Sequence, residues 1–174
     1  MKRFIGAAVA LAAAGFAAPS FAESPAVTGY VNLGYSYVDT ADSAKLSALG
    51  GRVGARIGRY LGAEGEAGFG INSDTVSGVD VKLTSTYAGY GVAFLPLTPR
   101  ADLFARVGYG HSNVRGTFGG VSVTSGEDSV NYGAGAQYFF TANDGVRAEY
   151  TRFDFRNNGG SANVYGVSYV RRFR

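Results

Sequence analysis

Residues 130–155 read VNYGAGAQYFFTANDGVRAEYTRFDF. In the first half, Val130, Tyr132, Ala134, Ala136, Tyr138 and Phe140 share one parity, and Asn131, Gly133, Gly135 and Gln137 share the other. After the polar break Thr141–Asp144, Val146, Ala148 and Tyr150 oppose Arg147, Glu149 and Thr151. A period of two places alternate side chains on opposite faces of a strand. Two such runs joined by a short break predict an antiparallel hairpin with one greasy face and one polar face.

The same grammar extends outward in both directions. Ala26–Val38 sets Val27, Val31, Leu33, Tyr35 and Tyr37 against Thr28, Tyr30, Asn32, Gly34 and Ser36. Ser47–Arg59 sets Leu49, Val53, Ala55 and Ile57 against Arg52 and Arg56. Leu61–Asn72 sets Ala63, Ala67, Phe69 and Ile71 against Glu64 and Glu66. Lys82–Leu95 is ambiguous, with Tyr90, Val92 and Phe94 on one face and Tyr87, Gly89 and Gly91 on the other. Asp102–Ser112 opposes Leu103, Ala105, Val107 and Tyr109 to Phe104, Arg106, Gly108 and Gly110. Asn163–Phe173 opposes Tyr165, Val167, Tyr169 and Phe173 to Gly166, Ser168, Val170 and Arg172. Each of the eight segments has about the length a tilted strand needs to cross a bilayer.

The connections alternate in length. Short turns are expected near Arg59–Leu61, Pro96–Ala101 and Thr141–Asp144. Longer polar loops are expected near Asp39–Leu46, Ser73–Val81, Asn113–Asp128 and Arg156–Ala162, the third being long enough for a hairpin beyond the membrane. This order suits an all-β, eight-stranded antiparallel up-and-down transmembrane β-barrel with both termini in the periplasm.

Period alone does not say which face points inward, since a soluble lipocalin-type barrel has the same alternation in the opposite sense. The charges decide it. Arg52, Arg56, Glu64, Glu66, Arg106, Gln137, Arg147, Glu149 and Arg172 all lie on polar faces, with both signs represented. An Arg or Lys facing lipid at the midplane costs roughly 2–4 kcal/mol. An eight-stranded interior is just wide enough for side chains to fill it. These nine residues are therefore expected to form a lumen network that plugs the barrel. With a turn centred near Tyr60, Arg56 faces Glu64 and Arg52 lies diagonal to Glu66. Tyr60, Phe94, Phe140, Tyr169 and Phe173 near one end, with Tyr37, Tyr109 and Tyr132 near the other, are expected as two aromatic girdles.

The amino terminus follows a different grammar. MKRFIGAAVALAAAGFAAPSFA, residues 1–22, has basic Lys2 and Arg3, an apolar stretch and a Ser20-Phe21-Ala22 small-x-small end. It reads as a signal peptide cleaved after Ala22, with residues 23–174 as one barrel domain. Without Lys2 and Arg3 the 16 basic residues become 14 against 13 acidic ones, a charge of +1. That balance, with no Lys/Arg run, gives no basis for nucleic-acid binding. With no Cys and one His, neither a disulfide framework nor a thiolate metal site is expected, and no cofactor. The lone His111 adjoins Ser112; neighbours in a strand face opposite ways, so His111 is poorly placed to activate that hydroxyl, and no enzyme is expected.

The stretches GARIGRYLGAEGEAGFG (54–70), DLFARVGYGHS (102–112), 130–155 and VYGVSYVRRF (164–173) resemble the eight-stranded outer-membrane barrel family that includes OmpA transmembrane domains, OmpX/Ail proteins and Opa-like surface antigens. The resemblance implies a Gram-negative outer-membrane location. It also implies a carboxy-terminal assembly signal at Tyr165, Val167, Tyr169 and Phe173. Arg174 after the Phe, and Arg171 at an outward parity, depart from that pattern. The implied partners are outer-membrane lipid and lipopolysaccharide, periplasmic chaperones, the barrel-assembly machinery, and host or surface ligands on the loops. A monomer is expected. Phe118, Val121 and Val123 form the expected contact patch. A structural or surface-interaction role is expected, with a narrow ion-leak pore, a lipid A-modifying enzyme and a soluble carrier as alternatives.

Overall fold

A computed structural model describes residues 26–40, 45–76, 79–118, 121–156 and 160–173. The expected leader and Arg174 lie outside them. The described chain forms nine strands: β1 (Val27–Thr40), β2 (Lys45–Ile57), β3 (Leu61–Gly70), β4 (Ser73–Val76), β5 (Val79–Thr98), β6 (Ala101–Phe118), β7 (Val121–Phe139), β8 (Asp144–Phe155) and β9 (Ser161–Phe173). Strands that follow one another in sequence pair antiparallel, except β3 and β4. β1 also pairs with β9, and β3 with β5, so the sheet closes. β4 continues β3 past a break at Ile71–Asn72 and pairs with the start of β5. The barrel therefore has eight staves, the third in two pieces.

The row of paired residues that starts at Tyr30 passes Gly54, Glu64, Tyr90, Gly108, Asn131, Phe153 and Ala162. It rejoins β1 at Thr40, ten residues further on. This stagger is the counterpart of strand tilt in a closed barrel. Closure leaves no sheet edge at membrane depth, where an unpaired backbone group would cost several kcal/mol. Outside, Leu33, Val53, Leu103, Val107, Val146 and Val167 form an exposed apolar belt; inside, Asn32, Glu64, Arg106, Asn131, Arg147 and Thr151 are buried. The apolar face is the outer one, because the lumen is too narrow to hydrate charges individually and can hold them only as pairs.

Three expectations are corrected. The second hairpin turns at Gly58–Tyr60, centred on Arg59, and Arg52 faces Glu66, Gly54 faces Glu64 and Arg56 faces Gly62. The cause is Gly58, whose φ of 65° opens the turn one residue early in the left-handed region that glycine tolerates. Phe94 lies inside the barrel, against Tyr30 and Phe104, and not in an outer girdle. The segments expected as polar loops at Ser73–Val81 and Asn113–Asp128 are largely strand, and β5, β6 and β7 run 20, 18 and 19 residues. Their upper halves project past the ends of β8 and β9 as a blade. Alternation persists there, but with Thr, Ser and Asn in the small-residue positions, which reads as loop.

Close approach sets one glycine. A Cβ on Gly54 would collide with the ring of Tyr30, which lies across that strand. Tyr30 is held by Glu64 and by Phe94, so it has little freedom to yield. Gly54→Ala is expected to destabilise the barrel by about 1–3 kcal/mol, the usual cost of overpacking. A urea midpoint in detergent, with the heat-shift gel as the assay of folding, measures it.

Candidate functional site

The lumen is layered. At the short-turn end, Tyr30, Phe94, Phe104, Phe139, Val92 and Val170 form a buried apolar cluster. Arg56 lies over Phe94, 4.5 Å from the ring centroid, and donates to Asp102 at 3.1 Å; Gln137 donates to the same carboxylate at 2.8 Å. Arg172 sits at the rim, 3.9 Å over Phe139, and donates to the Ala142 carbonyl.

Above this cluster is the charged layer. Arg147 donates to both oxygens of Glu64, at 2.5 and 3.2 Å, and to Glu149 at 3.1 Å. Arg106 reaches Glu66 and Glu149, each at 3.1 Å, and donates to Thr151. Arg52 donates to Glu66 at 2.5 Å and also to Glu149. Tyr30 donates to Glu64 at 2.8 Å. Arg52, Glu66, Arg106 and Glu149 thus form a closed ring, and Arg147 links it to Glu64. The cluster of three arginines and three glutamates is neutral as a whole. Two guanidiniums also sit over ring faces, Arg106 over Tyr90 at 4.3 Å and Arg147 over Phe104 at 3.7 Å from the centroids, an arrangement suited to a weakly hydrated cation.

Of the nine residues expected in the lumen, eight lie in this layer or the Asp102 cluster below it, bonded to a carboxylate or carrying one: Arg52, Arg56, Arg106, Gln137, Arg147, Glu64, Glu66 and Glu149. Glu149 bridges three arginines, and Arg172 is the rim residue described above. Asp102 and Tyr30 complete the arrangement. Asp102 is the second residue of β6, just past the turn, a position where Asp is readily taken for a turn residue. Tyr30 shared a parity with Asn32 and Arg52, and that parity was the available signal.

Toward the loop end the lumen is apolar again, with Leu46, Ala48, Leu83, Val38 and Val114 packed together. A cavity of about 80 Å³ remains there, over a floor where Thr86 and Ser112 share a hydrogen bond. Ser112 therefore points inward. His111 points outward and bonds Asp128 at 2.8 Å on the blade. Val123 is 67% exposed near the blade tip. Phe118 and Val121 pair through their backbones at the tip, and their side chains lie outside the described residues. Tyr165, Val167, Tyr169 and Phe173 face outward along β9, and Arg171 bonds Asp144 at the turn end.

Two predictions follow from these burial differences. Arg147→Met leaves Glu64 and Glu149 short of a partner in a dry site, and is expected to cost about 3–5 kcal/mol. Arg152→Met removes the half-exposed pair with Asp154 and is expected to cost under about 1 kcal/mol. Parallel denaturant titrations of the two variants compare them. On the blade, the bond to Asp128 raises the His111 pKa above its ordinary value. The stabilisation is fully present below the unfolded pKa of about 6.5 and fades as pH rises through the higher folded value. The NMR titration midpoint of His111 is expected to fall in Asp128→Asn.

No curated protein sequence matches the chain. Among solved structures, the N-terminal β-barrel domain of Pseudomonas aeruginosa OprF is similar at 15% identity and TM-score 0.67, covering 87% of this chain and 100% of that one. Neisserial surface protein A (NspA) is similar at 13% identity and TM-score 0.68, with the same coverage. Ail, the attachment invasion locus protein of Yersinia pestis, in complex with the heparin analogue sucrose octasulfate, is similar at 18% identity and TM-score 0.60, covering 84% of this chain and 99% of that one. At these identities the likeness is one of fold. The family model for the outer membrane protein beta-barrel domain matches residues 8–173, which include every strand of the closed, charge-cored sheet, and the chain belongs to that family.

Proposed function

We propose that this outer-membrane protein is a surface-interaction module: a sealed barrel acts as a rigid pedestal, and the projecting blade of β4–β7 makes the contacts. One observation carries the reading, the contrast between the two ends of the same strands. At membrane depth the lumen is filled by the Arg/Glu cluster between two apolar layers. Past the ends of β8 and β9, β5, β6 and β7 continue as a sheet whose inner face at its base still supplies Leu83, Thr86, Ser112 and Val114 to the lumen, while its outer face and residues 122–126 are exposed. Strand built outside the bilayer on a rigid scaffold is where binding residues are expected.

The sealed lumen favours this role over a narrow pore, since an ion would have to displace paired groups that cost several kcal/mol to separate. On the same reading the protein is non-enzymatic, with His111 engaged by Asp128 on the outer face and Ser112 turned into the lumen.

Two measurements test the proposal. In planar bilayers the purified protein is expected to give no channel steps; steps that change in Glu64→Ala would replace the surface role with conduction. Replacing Gly116–Val123 by Asn-Gly shortens the blade with a turn suited to a two-residue hairpin. Bacteria displaying that variant are expected to lose attachment to host-cell or matrix surfaces while the heat-shifted barrel band is retained.

A further inference from the structure

We infer that the mouth of the barrel at the short-turn end, far from the blade, is a binding site for a phosphate monoester. A cavity of about 260 Å³ lies there, next to the apolar cluster, with Phe94, Phe139, Gln137, Arg56, Arg59 and Arg172 in its walls. The lumen is sealed beyond the two rings, so the cavity is a dead end, and a ligand entering from this side stays at the mouth. Both ends of the described chain are here: the Gly58 N–H donates to the Ala26 carbonyl, and the Arg172 N–H to the Asn143 carbonyl. In barrels of this architecture the short turns face the periplasm.

Charge is out of balance at this end. In and beside the three short turns, Arg56, Arg59, Arg100, Arg171 and Arg172 stand against Asp102 and Asp144 among the described residues. Five positive charges against two negative ones leave an excess of three. Both acids are already engaged, Asp102 by Arg56 at 3.1 Å and Gln137 at 2.8 Å, and Asp144 by Arg171 at 3.2 Å. The cavity itself is bordered by three of the arginines and no carboxylate. With the buried Asp102 beside Arg56 included, its local charge is +2. The layer at membrane depth differs, since there three arginines meet three glutamates. A concave site lined by one sign of charge, with apolar walls, focuses its field on what enters.

The three arginines divide into one that holds and two that bind. Arg56 is committed: its Nε donates to the Arg59 carbonyl at 3.0 Å, while Nη1 and Nη2 grip Asp102. It thereby fixes the Gly58–Tyr60 turn. Arg59, on that turn, is exposed, with its guanidinium 5.9 Å from the Tyr60 ring centroid and no acid partner among the described residues. Arg172 rests on Phe139 and donates from Nε to the Ala142 carbonyl at 2.6 Å, which holds its guanidinium at the same cavity. Guanidinium forks suit phosphate oxygens through paired N–H donors. A monoester carries about −1.5 to −2 at pH 7, which balances the mouth, whereas a carboxylate or a phosphodiester brings a single charge. The rings of Phe94 and Phe139 suit the organic part of the ester.

The probes are inorganic phosphate and glycerol 3-phosphate, titrated into the full protein in phosphatidylcholine nanodiscs. Saturable NMR shifts of the Arg59 amide and the Arg172 Nε–H are expected at millimolar ligand. Arg59→Gln and Arg172→Gln are each expected to weaken binding about tenfold through lost charge-assisted hydrogen bonds, with the heat-shifted band retained. Arg115→Gln, which removes one positive charge from the blade, is expected to leave affinity unchanged. Affinity is also expected to fall from about pH 7 to pH 5, as the ligand loses its second charge near pH 6. Phosphatidic acid added to the nanodisc identifies the source. Competition with inorganic phosphate marks a lipid headgroup reaching the mouth, and undiminished binding marks a soluble ester. No saturation at millimolar phosphate, equal weakening in Arg115→Gln, or unchanged affinity in both mouth variants overturns the site. Affinity that does not respond to pH overturns the monoester.

Discussion

Arg147 reaches from β8 to Glu64 on β3, four staves away in either direction around the barrel, and holds Glu149 beside it. That guanidinium crosses the axis of the molecule, with its side chain and that of Glu64 both fully buried. Every other feature of the membrane-embedded part is consistent with the need to keep these charges paired in the absence of water. The staves must close so that the lumen is dry. The outer face must be apolar because the polar faces are committed inward. The cluster must be neutral, and it is, with the phenol of Tyr30 and the hydroxyl of Thr151 supplying hydrogen bonds that the carboxylates and guanidiniums still need.

The apolar layers above and below do more than fill space. They remove water from both ends of the cluster, which strengthens each ionic contact and raises the cost of breaking any one of them. Phe104 and Tyr90 serve in both roles, as layer residues and as faces on which guanidiniums rest. The barrel is thereby stiff where it spans the membrane. The blade has no charged core, and only its base, through Leu83 and Val114, joins the loop-end apolar layer. Its cohesion comes from backbone ladders, short hydroxyl contacts such as Thr117–Ser122, and the exposed His111–Asp128 pair. The molecule thus has a stiff base held by ion pairs and an extension held mainly by its backbone ladders.

Much of this was legible from period two and charge parity alone. The eight staves, the inward set of Arg and Glu, and the outward valines and tyrosines need only alternation and the cost of placing charge in hydrocarbon. Less legible were features set by single backbone angles or by residues distant in the chain. The φ of Gly58 moved the hairpin centre by one residue and so exchanged which arginine faces which glutamate. Asp102 is recognisable as a lumen acid only once Arg56, 46 residues away, is beside it. Phe94 could have served either face by type, and the cluster with Tyr30 and Phe104 decided for the interior.

By itself the sequence determined the architecture: side chains of alternate residues must diverge, and ionised groups cannot face lipid, so one closed cylinder with a polar axis follows from local pattern. Only the tertiary structure decided the partners within that axis and the reach of the blade. Ion pairs between strands depend on register and stagger summed around the whole barrel, and a run of Ser, Thr and Gly becomes strand only when a neighbour's backbone is present to receive its hydrogen bonds.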